Sequence, residues 1–127
     1  EYFARNAVAA FIMQLNPTVE QLSDVKTAVS EAVTNCIVHA YDSGEEVIEI
    51  ACGIDGNKLH IRITDTGKGI SDIEKAMQPF FTTCPQDERS GMGFTVMETF
   101  MDSLKVEHNA PKGTVVTMTK VFDSDGE

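Results

Sequence analysis

Glu31, Asn35 and His39 are spaced i, i+4 and i+8, which puts a carboxylate, a carboxamide and an imidazole along one side of a helix. A carboxylate and a carboxamide so placed can hold a hydrated Mg²⁺ through oxygen, since that cation takes few protein ligands and completes its shell with water and phosphates. Glu31 could instead orient or deprotonate an attacking hydroxyl. A solvated helix edge tied by i, i+4 hydrogen bonds has the same spacing. A second group, Asp65-Thr66-Gly67-Lys68-Gly69, follows a strand pattern. Alternation puts Asp65 on the face of Leu59, Ile61 and Ile63, so a charged side chain ends a core-facing series. Buried carboxylates need partners, and an adenine amino group would be one suitable donor. A strand-end aspartate capping a tight turn is the plainer alternative. Gly67 and Gly69 permit a close turn or direct contact with a ligand. The third group, Ser90-Gly91-Met92-Gly93, opens a helix without a Walker lysine pattern. Free N–H groups and the helix dipole favour an anion there. Arg89, two residues before Gly91, could reach a terminal phosphate and stabilise charge as it transfers. An ordinary N-cap with a flexible entry has the same composition.

The elements that must position these groups are legible from periodicity. Phe3, Ala7, Val8, Phe11, Ile12 and Leu15 give a helical period over residues 3–14, and Asn16-Pro17 ends it. Thr18 and Gln21 form a capping box for a second helix, whose apolar stripe runs Val19, Leu22, Val25, Val29, Val33, Cys36, Ile37 and Ala40. After Asp42-Ser43-Gly44 the period changes to two. Ile48, Ile50, Cys52 and Ile54 face Leu59, Ile61 and Ile63 across the hairpin signal Asp55-Gly56-Asn57. A short helix is expected over Asp72–Met77, then an irregular stretch from Gln78 to Ser90, long enough for a lid. Phe94–Leu104 reads as helix, with Val96, Met97, Phe100, Met101 and Leu104 inward. Val106–His108 and Thr114–Phe122 read as a final hairpin around Ala110-Pro111-Lys112-Gly113. Helices, hairpin, helix, hairpin is the order of an α+β sheet covered by helices on one face.

Bulk properties narrow the function. The chain has 127 residues, enough for one ordinary domain with a real core. Its 42% apolar and 24% charged residues are those of a soluble globular protein. No apolar run approaches the roughly 18 residues of a membrane span, and no signal peptide is visible. With 20 acidic and 10 basic residues the net charge is −10, and the basic residues do not cluster, which argues against direct nucleic-acid binding. The acidic field fits a basic protein partner, or simply solubility. Cys36, Cys52 and Cys84 are odd in number and lack C-x-x-C spacing, so neither a disulfide scaffold nor a zinc site is supported. Cys36 and Cys52 sit within apolar patterns and read as small hydrophobes in a reducing cytoplasm.

The motifs together resemble the GHKL ATPase and kinase superfamily. Glu31-Ala32-Val33-Thr34-Asn35 is similar to its N box, Asp65-Thr66-Gly67-Lys68-Gly69 to its G1 box and Gly91-Met92-Gly93 to its G2 box. Pro79-Phe80-Phe81-Thr82-Thr83 resembles the F box, and Gly113-Thr114 sits where the last G box falls. The resemblance covers nearly the whole chain and implies the two-layer GHKL (Bergerat) fold, with a mixed, mostly antiparallel sheet. E-A-V-T-N-x-I-x-H-A-Y, F-F-T-T and E-R-S-G-M-G-F-T-V-M-E-T-F-M-D further resemble the anti-sigma serine kinases of sporulating bacilli, those acting on sigma-F in preference to the stress-response sigma-B type. The phosphoacceptor-histidine helices of histidine kinases have no counterpart in these patterns, which favours a stand-alone protein kinase.

That resemblance implies roles. Glu31 would be the general base for a substrate serine, and Asn35 would ligate Mg²⁺. Asp65 would bind the adenine amino group, with Gly67 and Gly69 shaping that wall, Thr114 or Thr117 supporting the base pocket, and Ile70 also in the nucleotide site. His39, Thr82, Thr83, Ser90, Gly91, Met92, Gly93 and Phe94 would complete the ATP/ADP site, and Arg89 would act on the phosphates within a mobile lid. Arg5 resembles a contact residue for protein partners, implied to be a sigma factor and an anti-anti-sigma protein, with the kinase acting as a homodimer. Relatives commonly have lysine after the F-box threonines where this chain has Cys84. They also carry a segment before the residue equivalent to Glu1, which makes residues 1–127 a single domain expected to lack its natural N-terminal segment and a dimer strand. A nucleotide-gated binding module without catalysis is the alternative from a different class.

Overall fold

The computed structural model describes residues 2–40, 48–66, 93–109 and 113–122. The first helix, α1 (Tyr2–Ile12), tightens into a 3₁₀ turn at Met13–Leu15 and stops at Asn16. There the backbone turns left-handed (φ 52°) and the Asn16 N–H donates to the Met13 carbonyl at 3.0 Å. Asparagine tolerates that conformation, and Pro17 prevents the preceding residue from continuing the helix.

The second helix, α2 (Val19–Ala40), starts on the expected capping box. The Gln21 N–H donates to Thr18 Oγ1 at 3.0 Å, and the Thr18 N–H donates to Gln21 Oε1 at 2.8 Å. Val25, Ala28, Val29, Ala32, Val33 and Cys36 form its buried stripe. Two ends of the expected stripe differ. Val19 is 86% exposed, because the first turn overhangs the core, and Ile37 remains half exposed beside a groove. Phe3 on α1 is likewise exposed, and the inward face there is Ala4, Val8 and Ile12.

The sheet is antiparallel, in the order β1-β2-β4-β3, with β1 (Ile48–Asp55), β2 (Lys58–Asp65), β3 (Ser103–His108) and β4 (Thr114–Val121). The β1–β2 turn is two residues, Gly56-Asn57, pairing Asp55 with Lys58. Gly56 has φ +66° and Asn57 does not share it, the pattern of the glycine-first hairpin turn. Register then stacks the helix-facing side chains in ranks. Cys52, Ile61, Met118 and Leu104 align across the four strands, as do Ile50, Ile63, Val116 and Val106. The next rank changes character: Ile48, Asp65, Thr114 and His108.

The third described helix, α3 (Gly93–Phe100), is shorter than its apolar pattern predicts. The expected helix to Leu104 ends at Phe100, and β3 begins at Ser103, three residues before the expected strand. Met101 and Asp102 make the corner. The Asp102 N–H donates to the Thr119 carbonyl at 2.8 Å, and Asp102 Oδ2 accepts the Val121 N–H at 2.6 Å. Leu104 fits both a helical and a strand period, and pairing with Met118 decides it. Lys120 ties the layers together, donating to the Phe100 carbonyl at 2.9 Å and lying 3.8 Å from Asp24 of α2. The α2 helix packs against α1 and α3 and over β2. One core joins Val8, Ile12, the α2 stripe, Leu59, Ile61, Ile63, Phe94, Met97, Met118 and Phe122. The helix expected over Asp72–Met77 and the stretch before Ser90 lie outside the described residues.

Candidate functional site

The polar rank that closes the sheet is where the sequence motifs converge. Asp65 is 4% exposed and Thr114 5%, the two buried polar side chains among the described residues. They face each other across β2 and β4. A carboxylate left there without hydrogen bonds would cost several kcal/mol, on the order of 3 or more, so its surroundings decide what it can do. Its main chain is pinned from the β3–β4 connection. Asn109 Nδ2 donates to the Asp65 carbonyl at 3.0 Å, and the Asn109 N–H donates to the Gly113 carbonyl at 3.0 Å. Gly113 approaches so closely, at φ +113°, that a Cβ would collide with the Asp65 carbonyl oxygen. Glycine is required there by space and by backbone conformation together.

From the helix side, α2 contributes Cys36 and Asn35. Cys36 is 3% exposed and lies near the Asp65 side chain. Burial first, then the neighbouring Asp65 carboxylate, push the thiol far above its ordinary range, so it stays protonated. Asn35 packs its carboxamide against the start of α3: a Cβ on Gly93 would lie 2.9 Å from Asn35 Nδ2 and 3.1 Å from Oδ1. Gly93 thus lets the helix start come up to the carboxamide. Among the described residues no group of three or more His, Cys, Asp or Glu could hold a metal. A dedicated protein cage is therefore not formed by them. A cation that takes one carboxamide oxygen and draws its other ligands from phosphate and water fits the donor set.

Glu31, one turn before Asn35, is half-buried and lines a different surface. With Arg5, Leu22, Lys26 and Ser30 it borders a cleft of about 470 Å³ between α1 and α2. The structure thus brings Asn35, Asp65, Gly93 and Thr114 to one end of the sheet, and Glu31 and Arg5 into one cleft beside it. Thr117 is not in that group. It is half-buried on the opposite face of β4 from Thr114, because the strand alternates and Thr114, Val116 and Met118 take the helix side. Phe94 turns into the core, 6% exposed. His39 is on the last turn of α2, with its side chain outside the described residues. Gly67, Gly69, Ile70, Thr82, Thr83, Arg89, Ser90, Gly91 and Met92 lie outside them too.

Two residues of the site escaped the sequence reading as functional. Cys36 reads as part of an apolar stripe, and Asn109 reads as loop. The one signal for Cys36 was its place directly after Asn35.

The family described as the histidine kinase-like ATPase domain matches residues 2–120. An anti-sigma F factor of Thermoanaerobacter sp. (strain X514) is 61% identical over 125 residues, 98% of this chain and 87% of that protein. An anti-sigma F factor of Clostridium botulinum (strain Eklund 17B / Type B) is 60% identical over 124 residues, 97% of this chain and 87% of that protein. Among solved structures, the catalytic domain of the histidine kinase ThkA superposes with a TM-score of 0.64 at 21% identity, covering 80% of this chain and 68% of that one. The mycobacterial sensor histidine kinase MprB gives a TM-score of 0.63 at 21% identity, over 80% and 72% of the two chains. The last two likenesses concern the fold.

Proposed function

The chain belongs to the histidine kinase-like ATPase domain family and, within it, to the anti-sigma F factors, and from that membership we propose a Mg-ATP-dependent protein serine kinase that also binds and inhibits sigma-F. Its substrate in this reading is the anti-anti-sigma protein, phosphorylated on serine, and its setting is a cytoplasmic homodimer. The observation that carries the protein-kinase reading is the cleft shared by Glu31 and Arg5. A partner held through Arg5 on α1 would present its own chain to the Glu31 carboxylate within the same cleft.

The residues divide the work. Asp65, buried at the end of the sheet, accepts a hydrogen bond from the adenine amino group, with Thr114 beside it. Asn35 offers its carboxamide oxygen to Mg²⁺. Bound Mg-ATP supplies the phosphoryl group and neutralises its charge. Glu31 orients the substrate seryl hydroxyl and takes its proton onto a carboxylate oxygen. Arg89 acts on the phosphate charge as it develops. Positioning and charge stabilisation then account for most of the rate, as is general for phosphoryl transfer.

Glu31→Gln keeps size and hydrogen bonding but cannot accept that proton. Phosphotransfer to the anti-anti-sigma protein is expected to fall by about 10²-fold or more, with sigma-F binding in a pull-down or titration unchanged. Loss of both together would contradict the assignment of Glu31 to catalysis alone.

A further inference from the structure

We infer that Asn109 is a positioning residue for base recognition: its carboxamide ties down the Asp65 carbonyl and thereby fixes the direction from which the Asp65 carboxylate meets an exocyclic amino group. The inference rests on the reading of Asp65 as the adenine-binding group. Asp65 closes the ladders to both neighbouring strands, pairing with Ile48 and Thr114, and the chain leaves the sheet at its carbonyl. Asn109 follows His108 directly at the end of β3, and the sheet order puts β4 between it and Asp65. Its N–H donates to the Gly113 carbonyl at 3.0 Å, one step beyond the His108–Thr114 pair. Its side-chain Nδ2 reaches past β4 and donates to the Asp65 carbonyl, also at 3.0 Å, in a half-buried bond. Both lengths are ordinary for hydrogen bonds. Gly113 makes room for the bridge, because a Cβ there would meet the oxygen that the carboxamide reaches. A side chain's direction follows from the positions of its residue's own N and carbonyl carbon, so a hold on the Asp65 carbonyl is a hold on its carboxylate. A group that reads a ligand through one hydrogen bond must be kept within about 0.5 Å of its place. The ligand so selected is a purine nucleotide with an amino donor at position 6.

The test compares ADP with IDP, which share sugar and phosphates but differ in that amino group. Dissociation constants are measured by calorimetry for the wild-type chain, Asn109→Ala, Asn109→Asp and Thr18→Ala, with thermal melting to establish which are folded. Both Asn109 variants keep the main-chain bond to Gly113, and aspartate keeps the side chain's shape while putting an oxygen where the amide donor stood. Thr18→Ala weakens the opposite end of α2 and controls for general loosening of the fold. The wild-type chain is expected to prefer ADP. Each Asn109 variant is expected to lower the IDP-to-ADP ratio of dissociation constants by about three- to tenfold, the scale of one hydrogen bond between neutral groups. Thr18→Ala is expected to keep the ratio. An unchanged ratio in Asn109→Ala, a wild-type ratio in Asn109→Asp, or an equal fall in Thr18→Ala overturns the positioning role alone. If one Asn109 variant is not folded, the other decides. A wild-type chain without any preference for ADP overturns the reading of Asp65 and this inference together.

Discussion

Replacing Gly113 with alanine tests whether the end of the sheet is built as tightly as the site requires. The ideal Cβ would collide with the Asp65 carbonyl oxygen and stand 2.9 Å from both the Asp65 carbonyl carbon and Thr66 Cα. All three are backbone atoms, so no side-chain rotation relieves the overlap. The position also sits at φ +113°, which a residue with a Cβ rarely adopts. Strained backbone costs about 1–3 kcal/mol, and overpacking in a closed site adds about 1–3 kcal/mol. At about 3–5 °C per kcal/mol for a chain of this length, Gly113→Ala is expected to melt at least about 6 °C below wild type. Relief by moving β4 away from β2 would displace Asp65, so ADP affinity should fall as well. Gly53→Ala is the control, because a Cβ on Gly53 meets nothing within 4 Å, and it should remain within about 1 kcal/mol of wild type. Circular dichroism melts and ADP calorimetry on the three proteins make the comparison. A Gly113→Ala protein that melts with wild type and binds ADP equally would refute the close approach.

Two further expectations concern α2. Thr18→Ala removes the Thr18 Oγ1 acceptor of the Gln21 N–H, leaving the backbone donation to Gln21 Oε1, and should cost about 1 kcal/mol in urea unfolding, with the slope of the transition unchanged. Cys36 binds its proton more tightly folded than unfolded, so its contribution to stability is complete below the ordinary thiol value of 9.0 and is lost as pH rises above it. Above that value the wild-type chain should lose about 1.4 kcal/mol per pH unit more steeply than Cys36→Ala, whereas below pH 8 the two curves should run parallel.

Local rules carried the sequence reading a long way. The capping box at Thr18 and Gln21, the stop at Asn16-Pro17 and the two-residue turn at Gly56-Asn57 all depend on neighbours in the chain, and all three occur where the sequence indicates. The burial of Asp65 was legible too, because strand alternation needs no tertiary knowledge. Longer-range choices were not legible. Leu104 fits a helix and a strand equally, and only its pairing with Met118 and the corner at Asp102 decide between them. Thr117 carries the same chemistry as Thr114, and three residues along a strand put it on the other face. The exposure of Phe3 and Val19 depends on where the helices overhang the sheet, which periodicity does not encode. Cys36 shows the limit most plainly: its apolar neighbours conceal that it comes near Asp65 once α2 lies across β2.

The central proposal is phosphoryl transfer to a protein serine, and labelled γ-phosphate tests it most directly. The chain is incubated with labelled Mg-ATP, with and without the anti-anti-sigma protein, and the products are treated with acid. Acid-stable label on that partner, and only in its presence, is the result expected. Acid-labile label on this chain itself, or nucleotide binding with no transfer at all, would contradict the serine-kinase account.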